Sequence, residues 1–346
     1  SIFNKIDQEF DAQFVFGDMK SDIAKMDYCD FNRYPITIKE RTLFKKLIWR
    51  TGLLSLAFRK YDCYFIIGDT CITYLLFIPL CHLFGKKVYA WGHGCKSLDG
   101  KLGWFYKWFY RQCSCFFTYG ENGRQRLIDL GIPSNKLSVI YNSLNDGVEA
   151  ESQFVFKNNL IKNHFKNDLP VLLFVGRLTK VKQLDWILNA LDTHNSKGLF
   201  YNVLLIGDGE DKDRLNDIVS AKGLEDRVWF YGACYDDDEL SSLLYNADLC
   251  VSPGNVGLTA LHSMSYGTPV LSHNDFETQM PEYETIIPGQ TGDLYDKGNF
   301  DDFCGKIEAW LTSNHDRSKV QERCYQMINS KWNSRNQINI IKTIIR

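Results

Sequence analysis

Four short apolar runs between residues 170 and 252, PVLLFVG, YNVLLIG, RVWFYG and LCVS, end on a glycine or run into Pro253-Gly254. Each hands over to a stretch with helical spacing, as in Leu184, Ile187, Leu188 and Leu191. Strands that are apolar on both faces and separated by helices belong to parallel sheets, because parallel neighbours need a crossover and the crossover helices cover both sides. The same alternation reads as strands over 12–17, 63–68, 87–91 and 115–119 in the first half, and over 170–175, 201–207, 227–231, 249–252 and 269–272 in the second. Residues 146–169 are polar and without period, and they separate the two series. The expected organisation is therefore a first domain over 1–160, a second over 161–330, and a final helix over 331–346 that returns to the first. A doubly wound domain opens on a strand, whereas this chain opens on a helical pattern (Ile2, Phe3, Ile6, Phe10). The opening strand is expected upstream of Ser1.

Charge divides along the same line. Residues 1–150 hold 20 Lys+Arg against 15 Asp+Glu, and the rest hold 20 against 27, for a net charge of -2. That balance excludes a general nucleic-acid binder and suits two domains with different neighbours. The eleven cysteines are odd in number and form no CxxC pair, so buried thiols in a reducing compartment are expected, with neither a disulfide framework nor a metal site. The longest apolar run, Tyr74 to Phe84, is far shorter than the ~20 residues of a membrane span. A cytoplasmic protein is expected.

Three strand-to-helix corners carry the candidate chemistry. At Gly176-Arg177-Leu178-Thr179-Lys180-Val181-Lys182, glycine permits close approach while Arg177 and Lys182 converge on the carboxyl end of a strand, an arrangement suited to a pyrophosphate. Two solvated surface cations are the alternative. The second corner is Gly207-Asp208-Gly209; alone, such a turn is as often geometric as functional. The third, in VSPGNVGLTALHSMSYGTPVLSHND, offers backbone N–H groups at Gly254, Asn255, Val256 and Gly257 before a helix, with no charged side chain in the turn. Neither GxGxxG after a strand nor GxxxxGK[ST] occurs, which disfavours a nicotinamide dehydrogenase and a P-loop hydrolase.

The ordered stretches FVGRLTKVKQLDWILNAL, LLIGDGEDKDRL, VWFYGACYDDDELSSLLYNADLCVSPG, GLTALHSMSYGTPV and PGQTG together resemble the family 4 glycosyltransferases of GT-B fold, across nearly all of 170–295. WGHGCKS and LIDLGIPSNKLSVIYNSLN extend the resemblance more weakly into the first half. It implies two Rossmann-like, doubly wound α/β domains facing each other across a cleft. It also implies retaining transfer of a hexose-type sugar from a UDP- or GDP-linked donor, with no metal and no cofactor besides that substrate. By the same resemblance, Arg177 and Lys182 are the diphosphate pair, beside Gly176, Gly207, Asp208 and Gly209. Tyr231 and Gly232 lie in the stretch facing the base, Leu258 and Thr259 supply N–H groups to phosphate, and Glu284 is the glutamate of the "PE" turn. His93, in Gly92-His93-Gly94, supports the reacting centre beside the donor sugar.

The sequence departs from the family where two glutamates with seven residues between them are expected: Gly254 and His262 stand there. His262 retains one hydrogen bond toward a ribose, or else packs inside its helix; glycine offers only its backbone. Asp69, Thr70 and Glu121 sit at other strand ends and are open candidates for the acceptor. Residues 39–60, with seven Lys/Arg against Glu40, and 101–111 (KLGWFYKWFYR) read as basic, aromatic helices suited to an anionic membrane surface on the inner face of the plasma membrane. The expected acceptor is a lipid-linked surface glycan. Two rival readings stay open: a nucleotide-sugar epimerase of the same fold, and a nucleotide-sugar-binding protein that lost catalysis with the two glutamates.

Overall fold

The computed structural model describes residues 2–18, 31–43, 47–94, 98–100, 102–144, 160–313 and 316–345. The chain divides into two compact units, Ser1–Asn142 with Ser334–Arg346, and Ser143–Asn333. The boundary after Asn142 lies earlier than residue 160.

The first unit's described residues begin with α1 (Ile2–Phe10) and include two sheets. In the smaller, β1 (Val15–Gly17) pairs parallel with β2 (Ile36–Leu43), which pairs antiparallel with β3 (Leu47–Thr51). The larger is fully parallel, in the order β4 (Cys63–Ile67), β5 (Lys87–Gly92), β6 (Cys115–Thr118), β7 (Leu137–Val139). Short α2 (Leu53–Leu56) follows β3, while α3 (Tyr74–Leu83), α4 (Gly103–Gln112) and α5 (Glu121–Asp129) are the crossovers. The core is aromatic: Tyr74, Phe77, Phe109, Tyr110 and Phe116 are buried together.

The described residues of 39–60 do not form one helix: 39–43 lie in β2, 47–51 in β3, and only 53–56, as α2, are helical. Ile36 and Ile38 share one face of β2, and Arg50 on β3 turns inward, so part of its positive charge is structural. Arg50 donates to Glu40 at 2.5 Å, to Asp69 at 2.6 Å and to the Tyr74 hydroxyl at 2.5 Å. Burial works against the cation, yet Tyr74, Asp69 and Glu40 raise its pKa above the ordinary value.

In the second unit, α6 (Leu160–Phe165) precedes a six-stranded parallel sheet of β8 (Val171–Val175), β9 (Asn202–Ile206), β10 (Val228–Gly232), β11 (Leu249–Ser252), β12 (Val270–His273) and β13 (Gly292–Tyr295). Helices α7 (Asp185–Ser196), α8 (Lys212–Lys222), α9 (Asp237–Asn246) and α10 (Thr259–Ser265) alternate with the strands, and α11 (Phe300–Thr312) and α12 (Arg317–Ser330) follow. Every residue of β9, β11 and β12 is buried, as strands covered on both faces require. Asp236 and Asn299 cap α9 and α11 by accepting from the N–H groups of Glu239 and Asp302. The last helix, α13 (Ser334–Ile345), packs on α1 in the first unit, where Lys342 meets Glu9 at 2.5 Å. No described helix is long and apolar enough to cross a membrane.

Candidate functional site

The strand order β10-β9-β8-β11-β12-β13 fixes where a ligand can enter the second unit. From β8 the chain steps outward to β9 and β10, then returns to the other side of β8 and steps the opposite way. Turns leaving β8 and β11 therefore diverge and open a crevice at the carboxyl ends of these two strands. Those turns are Gly176–Lys182 and Pro253–Leu258.

The walls are tightly laced. Gly176 N–H donates to Ile206 O at 2.9 Å, Leu178 N–H to Asp208 O at 2.9 Å, and Gly207 N–H to Gly232 O at 2.8 Å. Gly207 and Gly209, both at positive φ, pack against backbone: a Cβ would lie 1.9 Å from Gly176 O in the first and 2.3 Å from Leu178 O in the second. The second corner is thus a packing device, and Asp208 at its tip is exposed, accepting from Gly209 N–H at 2.8 Å. From the β11 side, the Thr259 hydroxyl donates to Val175 O at 2.9 Å, so that side chain closes over the end of β8.

Lys182 joins the two turns. Its Nζ donates to Asn255 O at 2.6 Å and to Asn255 Oδ1 at 2.8 Å, while Gly254 N–H donates to Lys182 O at 3.0 Å. Asn255 therefore anchors the lysine. A Cβ on Gly254 would lie 2.1 Å from Val181 O and 2.8 Å from Lys182 Cα, so this backbone has no room for a side chain at 254. The turn is held from behind by Gln279, which accepts from Val256 N–H at 2.9 Å and donates to Ser272 Oγ at 2.8 Å and His273 O at 3.0 Å.

The electrostatics here are cationic. Burial lowers the pKa of Lys182, the nearby charge of Arg177 lowers it further, and Glu282 works the other way. Arg177 is exposed and makes no salt bridge among the described residues. Two cations that disfavour one another thus share the mouth of the crevice, an arrangement that an anion would relieve. Among the described residues, no acceptor meets the N–H groups of Gly257, Leu258 or Thr259. Helix α10 spans only seven residues, so these N–H groups carry more weight than its dipole.

Around this centre lie the other candidates. His262 on α10 is half-buried, and burial lowers its pKa against the pull of Asp237, so the ring is neutral at pH 7. The Tyr231 hydroxyl donates to Glu239 at 2.7 Å; burial and that carboxylate push the phenol up to about 12. Trp229 lies 5.0 Å from the Tyr231 ring and is stacked by His164 at 3.9 Å. The acid of the "PE" turn that acts on Lys182 is Glu282, which is buried, rather than the half-buried Glu284. Sequence reasoning passed over Glu282, although Pro281 directly before it is the available signal; Gln279 carries no such signal.

In the first unit, the ends of β4, β5 and β6 bring Gly68–Thr70, Gly92–Gly94 and Tyr119–Glu121 to one edge. His93 is exposed there, with its ring 5.0 Å from that of Tyr119. Asp69, a candidate acceptor contact, is committed to Arg50 and to Cys71 N–H at 3.1 Å. Glu121 accepts from the Tyr141 hydroxyl at 2.8 Å. Thr70 O accepts from Ile48 N–H at 3.1 Å.

A doubly wound unit of strand order 3-2-1-4-5-6 with a cationic crevice at its switch point defines a class of nucleotide-type α/β domains. The family model for glycosyl transferases group 1 matches residues 155–327, and the chain belongs to that family. The sequence is 26% identical over 234 residues to an uncharacterised 41.2 kDa protein in the cps region of Klebsiella pneumoniae, covering 66% of this chain and 60% of that protein. It is 25% identical over 223 residues to the lipopolysaccharide core biosynthesis glycosyltransferase LpsE of Rhizobium meliloti, covering 64% of this chain and 60% of that one. The chain thus spans about three fifths of these curated relatives. Among solved structures, Anabaena HepE in complex with UDP is similar with a TM-score of 0.66 at 16% identity, covering 85% of this chain and 80% of that one. The fold is GT-B.

Proposed function

We propose that the protein is a retaining glycosyltransferase of the family 4 type. It moves a hexose-type sugar from a UDP- or GDP-linked donor to a lipid-linked glycan during surface polysaccharide assembly in the cytoplasm, without a metal or other cofactor. The observation that carries this reading is the convergence of Arg177 and Lys182 at the switch point with a net positive balance. A nucleoside diphosphate supplies the missing negative charge and accepts from the N–H groups of Leu258 and Thr259. The LpsE and HepE relationships support the polysaccharide context and the nucleotide.

In the proposed reaction the acceptor hydroxyl attacks the anomeric carbon on the face that the diphosphate leaves. The hydroxyl–carbon bond forms as the bond to phosphate breaks, and the departing phosphate oxygen takes the proton. Arg177 and Lys182 stabilise the charge developing on that phosphate, a task of positioning and electrostatics that needs no protein base. Neutral His262 hydrogen-bonds the ribose, Tyr231 and Gly232 flank the base, and His93 supports the reacting centre as the resemblance implies.

The test is calorimetric binding of UDP and GDP without added metal, followed by turnover of the matching sugar donors. Arg177→Ala removes one charge-assisted contact, and affinity for the bound nucleotide is expected to fall by roughly 10- to 100-fold. Unchanged affinity in both Arg177→Ala and Lys182→Ala overturns the site. Wild-type binding without turnover of any donor favours a binding protein that has lost catalysis.

A further inference from the structure

The second unit has a cavity at the edge of its sheet opposite the crevice. It lies at the amino ends of β8, β11 and β12, where Pro170, Asp248 and Pro269 stand just before the strands, and residues of α11 and α12 complete its wall. The four and five residues of β11 and β8 put about 13–17 Å between it and the turns at their carboxyl ends, so it is no part of the crevice. Its volume is about 150 Å³, room for one six-membered ring.

The polar groups on its rim are set before any ligand arrives. Arg317 Nη1 donates to Asp248 Oδ1 at 2.9 Å and Nη2 to Tyr245 O at 2.5 Å and Ala247 O at 3.1 Å, while Asp248 Oδ2 accepts from Val171 N–H at 2.8 Å. The two charges cancel, and no other charged side chain among the described residues lines the cavity. Gly267, at φ +81°, lets α12 lean on the turn between α10 and β12: a Cβ there would lie 2.9 Å from Gln321 Cγ and from Tyr325 Oη. The stem of Gln321 is held by that contact, and its amide has no hydrogen-bond partner among the described residues. Between these groups the wall is apolar, from Trp310, Leu311, Pro170 and Pro269.

This combination selects a class of ligand. A neutral rim gives no advantage to an anion or a cation. A wholly apolar ring would strip water from Gln321 and from the Asp248–Arg317 pair without replacing it. A pyranose meets both demands: its ring C–H groups rest on the apolar wall, and the hydroxyls around its circumference pair with planar carboxylate, guanidinium and amide groups that together donate and accept. We infer that this cavity is a second carbohydrate site, which takes one pyranose unit of a neutral glycan. The inference goes beyond the transfer reading, since it concerns holding a glycan and stands whether or not a donor turns over.

The experiment is saturation-transfer NMR and calorimetry of the full chain with methyl α-D-glucopyranoside, methyl β-D-galactopyranoside and methyl α-D-mannopyranoside. With about thirteen non-hydrogen atoms, such probes reach a Kd of about 1 mM at ordinary ligand efficiency, so each is titrated to about 20 mM. Wild type is expected to bind at least one of them, equally well with and without saturating UDP. Gln321→Ala removes one hydrogen bond and is expected to weaken binding roughly 3- to 10-fold. Gln321→Trp, and independently Ser313→Trp from the exposed end of α11, fill the cavity and are expected to abolish it. Neither position is buried, so melting temperatures should stay near that of wild type. Wild type that binds none of the three probes, or binding that both filling variants retain, overturns the inference. So does displacement of the sugar by UDP, which would place it in the crevice, and so does inorganic phosphate bound by wild type and lost in Gln321→Trp, which would make the cavity an anion site. UDP affinity, measured on the same samples, is expected to be unchanged in every variant, so failure here leaves the transfer reading standing.

Discussion

Gly254→Ala is the sharpest test of how the crevice is built. Gly254 does not adopt a positive φ, so alanine meets no backbone strain, and the cost is purely steric. The added Cβ would lie 2.1 Å from Val181 O, where real contacts are not found under 3.0 Å, so the two turns must part by about 1 Å, an overpacking of roughly 1–3 kcal/mol. Parting them also stretches the bonds that lace the corner: Gly254 N–H to Lys182 O at 3.0 Å, Ser272 Oγ to Gly254 O at 3.2 Å, and Lys182 Nζ to Asn255 at 2.6 and 2.8 Å. Losing one such bond in a buried setting adds about 1–3 kcal/mol. The sum, about 2–5 kcal/mol, corresponds to a melting temperature lower by roughly 5–15 °C for a unit of this size. Differential scanning fluorimetry with and without UDP measures both halves of the claim, since nucleotide stabilisation should shrink together with the melting temperature. Gly254→Glu, which introduces the glutamate that the resemblance implies at this position, is expected to be worse than alanine and not to raise turnover. A Gly254→Ala protein that melts within about 2 °C of wild type with unaltered UDP stabilisation refutes the steric argument. A Gly254→Glu protein with faster turnover does so more directly.

Two further outcomes follow from buried charge. Arg50→Met leaves Glu40 and Asp69 facing each other without a cation, and urea unfolding should show the first unit destabilised by about 3–5 kcal/mol; a loss under about 1 kcal/mol would mean that the network is ornamental. His273, buried at the end of β12, is pushed down to about 4 by desolvation, aided by Lys297 and opposed by Asp275. Its unfolded counterpart titrates near ~6.5, so stability is complete above that pH and declines as pH falls toward 4, because only the unfolded chain takes up the proton. The decline attributable to this group is at most about 3 kcal/mol. His273→Asn keeps an acceptor for Asp275 N–H and should flatten the fall between these pH values; an unchanged slope in chemical denaturation assigns it to other groups.

What was legible in the chain was what is local in it. Strands β8, β9 and β11 announce themselves because a strand buried on both faces is nearly continuously apolar, and the cations at 177 and 182 are visible because they sit in one turn. What was not legible depends on partners far along the chain. The density of charge in 39–60 suggested a basic helix, but Arg50, on a strand paired with β2, is claimed by Glu40, ten residues away, and by Asp69, nineteen away. The three residues of β7 are too few to show a period. The need for glycine at 254 is set by a carbonyl of another turn, and the role of Gln279 by an N–H 23 residues earlier.

The site residues consequently fall into two physical kinds, which substitution can tell apart. Gly207, Gly209, Gly254, Thr259, Asn255 and Gln279 meet other parts of the protein: their atoms fill or lace the walls, and changing them should lower melting temperature and nucleotide affinity together. Arg177 meets nothing of opposite charge among the described residues, so its removal should lower affinity while leaving the apo melting temperature in place or raising it, through relief of Lys182. Lys182 belongs to both kinds, because its ammonium holds Asn255 and also faces the crevice. A charge-neutral isostere there should cost affinity and stability at once. The contrast between 177 and 182, read in one melting experiment without ligand, therefore separates a site poised for an anion from a corner that merely happens to be basic.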